Sequence, residues 1–87
     1  MKKLIHKIHL ETDGQEIKLP LTSRILSCQL QNNRIVMWYE FRATEEHNLR
    51  ARTISIKGTG IPFEENIDAT YIGTVQQLSF VWHIYID

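Results

Sequence analysis

The chain has 87 residues, ten basic and ten acidic side chains that cancel at pH 7, and a single cysteine. One cysteine excludes an intrachain disulfide and a cysteine-rich zinc site. The absence of net charge argues against a nucleic-acid module or a membrane-surface protein, because no global field draws a polyanion. A chain this short forms one domain, residues 1–87, and buries only about 60–65% of its unfolded surface, so self-association is an available source of extra burial.

The start, Met1 to Leu10, has the two lysines of a secretory leader, but His6, Lys7 and His9 interrupt its apolar residues. It lacks a leader's apolar stretch, and no segment approaches the ~18 apolar residues of a membrane span. The expected compartment is the cytoplasm, with Cys28 reduced.

Alternation by two marks nearly every segment as strand. His6, Ile8 and Leu10 share one face and Lys7, His9 and Glu11 the other. Thr12-Asp13-Gly14 reads as a turn, after which Ile17 and Leu19 resume the apolar face until Pro20, so residues 3–19 are expected to form a hairpin. Leu26, Cys28 and Leu30 line a third strand. Asn32-Asn33 suits a two-residue hairpin turn, and the return strand sets Ile35, Met37, Tyr39 and Phe41 against Val36 and Trp38. Residues 43–51 break the alternation and read as a wide hairpin connection, with or without one helical turn, to a strand at 52–57. That strand carries Ile54 and Ile56 into Gly58-Thr59-Gly60 and Pro62. Strands at 70–77 and 79–86 close the chain, the last with Phe80, Trp82, Ile84 and Ile86 on one face and Val81 and Tyr85 on the other. The expected fold is all-β, a small antiparallel sandwich or barrel of about six to seven strands.

Ile25-Leu26-Ser27 with Gln29, Gly58-Thr59-Gly60 with Pro62, and Tyr71-Ile72-Gly73-Thr74 stand in an order that resembles a family of small uncharacterised proteins of phages and prophages. The resemblance covers most of the chain. It implies a viral origin and an all-β fold, and it carries no catalytic residues.

No reaction centre is recognisable. His6 and His9, three apart, lie on opposite faces of a strand, whereas a strand chelate uses i and i+2. With His47 and His83 isolated in sequence, no metal site is expected. Cys28 alternates with leucines and reads as a core thiol, and no serine has a nucleophile-elbow context. Glu45-Glu46 and Glu64-Glu65 are adjacent acids in loops, expected to be solvated. The chain is therefore expected to be no enzyme and to use no cofactor.

Two features point to binding. Gly58, Thr59 and Gly60 offer consecutive amides and a hydroxyl for an anion, and Arg50, Arg52 and Lys57 stand beside them. Trp38 or Tyr71 could stack a base there. The strands apolar on both faces expose Val36, Trp38, Val81 and Tyr85, the pattern of a homo-oligomer interface. The expected function is a phage-encoded binding protein of the host cytoplasm that counteracts host defence by sequestering a small anionic, nucleotide-like ligand at an oligomer. The alternatives are an inhibitor docking on a host protein through its apolar aromatic patch and a virion or assembly accessory.

Overall fold

The computed structural model describes residues 1–87 as seven strands and one short 3-10 turn. The strands are β1 Lys3–His9, β2 Gln15–Pro20, β3 Arg24–Gln31, β4 Arg34–Arg42, β5 Leu49–Gly58, β6 Thr70–Gln77 and β7 Phe80–Ile86, with the 3-10 turn at Ala43–Glu45. They form two antiparallel sheets, a first of order β1-β4-β3 and a second of order β2-β5-β7-β6. The sheets pack face to face as a sandwich and do not close into a barrel.

Two hairpins are local. Asn32 and Asn33 both adopt left-handed backbone, φ 52° and 60°, and Gln31 pairs with Arg34 across them. In the second, Gln77 pairs with Phe80 around Leu78-Ser79. The hairpin expected over residues 3–19 does not form: β1 pairs with β4, and β2 pairs with β5 in the other sheet. The turn itself is present, with Gly14 at φ 81°, but it carries the chain across the core. Leu10 still bonds to Ile35 of the first sheet through its N–H, and four residues later the Gly14 N–H bonds to Ile54 of the second. The connection after β4 likewise changes sheets, and β5 begins at Leu49, earlier than the strand expected at 52–57. Alternation gives the same inward face for a hairpin partner and for a strand in the opposite sheet, so periodicity could not separate the two.

The apolar stripes meet between the sheets. Leu19, Met37, Phe41, Ile54, Ile84 and Ile86 are almost wholly buried. One stripe is broken: a bulge between Ile25 and Ser27 inserts Leu26, so Ile25 faces Tyr39 and Leu26 is 38% exposed. Ile25, Cys28 and Leu30 therefore make the inward row in place of Leu26, Cys28 and Leu30. A second bulge, between Tyr71 and Gly73, brings Gly73 against Cys28 at the β3–β6 corner.

The sandwich is thin. Its extents are 43 × 30 × 16 Å and its radius of gyration 13.4 Å, above the roughly 12 Å of a compact chain this long. Only 14 of 87 residues are buried, so two broad outer faces make up most of the surface and present the candidate chemistry.

Candidate functional site

On β5 the inward residues are Ile54 and Ile56, and alternation places Arg50 and Arg52 on that same side, paired with Leu19 and Ile17. Lys57 pairs with His83 and faces outward. The three cations expected to converge thus lie on opposite sides of the second sheet. Arg52 reaches along the core side to donate from Nε to the Asp87 carbonyl at 2.6 Å. Arg52 and Lys57 are five positions apart, an odd offset, and period-two alternation alone would have shown the split.

The glycine turn is also committed internally. The Thr59 N–H bonds to Val81 O and the Ile61 N–H to Gly58 O, both at 3.3 Å, so the central amide of the expected nest is already engaged. Gly60, at φ 81°, makes the turn possible. The Thr59 hydroxyl lies 2.7 Å from His83 Nε2, while His83 Nδ1 lies 3.0 Å from the Thr74 hydroxyl, itself bonded to the Tyr71 hydroxyl. These four side chains form a hydrogen-bonded row across the outer face of the second sheet, with both His83 nitrogens engaged.

Beside this row, residues 63–69 and the sheet enclose a groove of about 800 Å³, lined by Ser55, Lys57, Phe63, Glu64, Glu65 and Tyr85 among others. Lys57 is its one lysine or arginine and is already occupied: its ammonium lies 3.1 Å from Asp13 Oδ2 and 5.3 Å over the Phe63 ring. Partial burial pushes the Asp13 carboxyl up, but the bonds from the Ile56 amide and from Lys57 outweigh this and hold it below its ordinary value. With Glu64 and Glu65 on the rim, the groove opposes an anion.

The first sheet is electrostatically the reverse. Because β4 points Ile35, Met37, Tyr39 and Phe41 inward, its outward residues are Arg34, Val36, Trp38, Glu40 and Arg42. Register adds Lys3, Ile5, Lys7 and His9 from β1 and Arg24, Ser27, Gln29 and Gln31 from β3. Five lysines and arginines therefore share this face with one acid. Glu40 lies 3.3 Å from both Lys3 and Arg24, and Arg34 pairs with Glu11 at the rim. Three positive charges remain in excess on a chain of net charge zero, balanced by acids elsewhere, including Glu64, Glu65 and Asp68 between β5 and β6.

Trp38 sits half-buried within this cationic face, flanked by Lys7 and Ser27. Val36, next to it, is fully buried within the single chain. Lys7 donates to Gln31; the two flank β4 at Trp38 and Arg34, so their bond passes over Val36. The four residues expected at a homo-oligomer interface lie on two faces. Val36 and Trp38 lie on the first sheet and Val81 and Tyr85 on the outer side of the second, where Phe63 and Tyr71 pack against Tyr85 with ring centroids 6.0 and 5.7 Å away. The double-sided apolar strands are largely covered by their own chain: lysine and glutamine stems on one side, the loop after β5 on the other.

No curated protein and no solved structure matches the chain. A known family does, over residues 1–87, and the chain belongs to it: a domain of unknown function (DUF7352).

Proposed function

We propose that the protein is a small binding protein that holds an anionic, nucleotide-like ligand on the outer face of its first sheet. The observation behind this reading is the local excess of three cations around Trp38 on a neutral molecule. Arg42 has no acidic partner and Lys7 bonds only to a neutral amide, so both can redirect their donors to phosphate oxygens. Lys3, Glu40 and Arg24 form a tie across the strands that keeps this end of the face ordered. Trp38 supplies the apolar ring against which a base would lie. The resemblance to phage and prophage proteins supports a setting in the cytoplasm of an infected cell, where such a protein would counteract host defence by sequestration rather than catalysis.

Calorimetry with mono-, di- and cyclic nucleotides tests this. Arg42→Ala and Lys7→Ala should each weaken binding about tenfold, the lower end of what a charge-assisted contact is worth, while Arg52→Ala and Lys57→Ala leave it unchanged. An uncharged ligand, or indifference to Arg42→Ala and Lys7→Ala, would overturn the reading.

One observation favours the alternative of an inhibitor docking on a host protein. At the β6–β7 end, Leu78 and Phe80 are 75% and 56% exposed, and Phe80 stacks on Trp82 at 5.5 Å. Loss of a host-protein complex in Phe80→Ala, with nucleotide binding absent from the natural protein, would select that alternative.

A further inference from the structure

β1 is an edge strand of the first sheet, and its residues Lys3 to Lys7 are all exposed. Two bonds at its flanks fix which of its backbone groups are used. Ala43 N–H donates to Lys2 O, and Leu10 N–H donates to Ile35 O. In an antiparallel pair such bonded positions recur every second residue, so Leu4, His6 and Ile8 turn their N–H and C=O groups toward β4. Lys3, Ile5 and Lys7 turn theirs away, along a free edge. The free row ends at His9, whose carbonyl is taken by the Gln15 side chain.

We infer that this edge receives an extended strand of a partner protein in which acidic residues alternate with apolar ones. Side-chain order follows from the sheet. On the outer side the added strand would lie beside Lys3, Ile5 and Lys7, within the cationic face, where acids are favoured. On the inner side it would lie beside Leu4, which is 38% exposed, and Ile8, where apolar residues would extend the core, with His6 between them packed on Tyr39 and Phe41 and 3.9 Å from Glu46. Residues 1–10 contribute three lysines, two histidines and no acid, so the attraction along this strand has one sign. The first sheet has three strands against four in the second, and β3 is anchored at the β6 corner by the Cys28–Gly73 approach. A strand added at β1 makes the layers equal.

Charge also argues against a second copy of this chain as the occupant. Antiparallel self-pairing centred on Ile5 would set Lys3 opposite Lys7 of the other copy, twice over, and directly opposed like charges destabilise a sheet. Lysine on an edge strand is a common guard against such pairing. The inference shares Lys7 with the nucleotide reading but adds backbone groups that a small ligand on the outer face does not use, so protection of the edge amides tells the two apart.

The test is amide hydrogen exchange on the full chain, read by NMR with two synthetic peptides, one alternating Glu with Val and one alternating Lys with Val. The acidic peptide should slow exchange at the Lys3, Ile5 and Lys7 amides by at least about tenfold, and the basic peptide should leave them unchanged. Combining Lys3→Glu with Lys7→Glu should reverse the preference. Lys7→Glu alone, which spares the Lys3–Glu40 pair, should weaken the acidic peptide should the double variant fail to fold. Equal protection by both peptides, no protection, or shifts confined to Trp38 and Arg42 would overturn the inference. So would protection that grows with protein concentration in the absence of peptide, which would identify a second copy as the occupant.

Discussion

At Gly73 a Cβ would stand 2.4 Å from Cys28 Sγ, so the absence of a side chain is what lets the two sheets meet at the β3–β6 corner. Gly73→Ala should destabilise the fold by about 1–3 kcal/mol through overpacking. Removing the sulfur relieves that contact, because the nearest remaining atoms, the Cys28 carbonyl oxygen and Cβ, lie at 3.9 and 4.0 Å. Adding Cys28→Ala to Gly73→Ala should therefore recover much of the loss, with a coupling of about 0.5–3 kcal/mol in the double-mutant cycle. Urea unfolding checks it, and strictly additive effects would show that the corner does not set the cost. Burial also raises the Cys28 thiol above its ordinary value, in keeping with a packing role. Asp13 provides a pH test. Its carboxyl is held below the ordinary 3.8, so it stabilises the fold above that pH, and the contribution is lost as pH falls through the folded value. Asp13→Asn keeps an acceptor for the Ile56 amide but not the charge. The stability gap between variant and natural protein, measured by thermal unfolding, should be present at neutral pH and close below 3.8. A gap unchanged in acid would assign the effect to shape rather than charge.

Among the elements, the two local hairpins differ in the chemistry of their turns. Asn32-Asn33 uses residues that tolerate left-handed backbone, whereas the β6–β7 turn places Leu78 at φ 56° with its side chain 75% exposed. A leucine held there costs about 1–2 kcal/mol relative to glycine and buries little in return. Glycine gives back part of this in chain entropy. Leu78→Gly should thus raise stability by roughly 0.5–1 kcal/mol, read as a higher urea midpoint at unchanged slope. A fall in stability would mean that the leucine packs within the single chain. The bulge at Leu26 shows the same reach of local geometry: one inserted residue shifts the phase of β3 and puts Ile25 in the core.

For the whole molecule, the decisive property is the separation of charge between two faces. Net neutrality argues against a long-range field, but it does not describe a surface where five cations and one acid share one side of a sheet. Because those cations are exposed, nucleotide binding there should weaken as salt rises, with a shallow slope set by the one or two phosphates neutralised. The groove on the other face, acidic at its rim and with Lys57 already engaged, should contribute nothing to that dependence.

The sequence by itself determined that the fold is all-β, that the turns fall at Gly14, Asn32-Asn33 and Gly60, and which stripes line the core, except on β3, where the bulge turns Ile25 inward in place of Leu26. Each is a local property, set by side-chain alternation and by backbone that only certain residues tolerate. Parity along β5 even contained the separation of Arg52 from Lys57. The partners of β1, β2 and β5 were decided only in the tertiary structure, because two strands with the same inward face fit equally as hairpin neighbours or as opposed layers. Whether Val36 was exposed, and whether Lys3, Lys7, Arg24, Arg34 and Arg42 would share a surface, depended on that choice. These five come from three strands, and only the pairing of β1 and β3 with β4 brings them together.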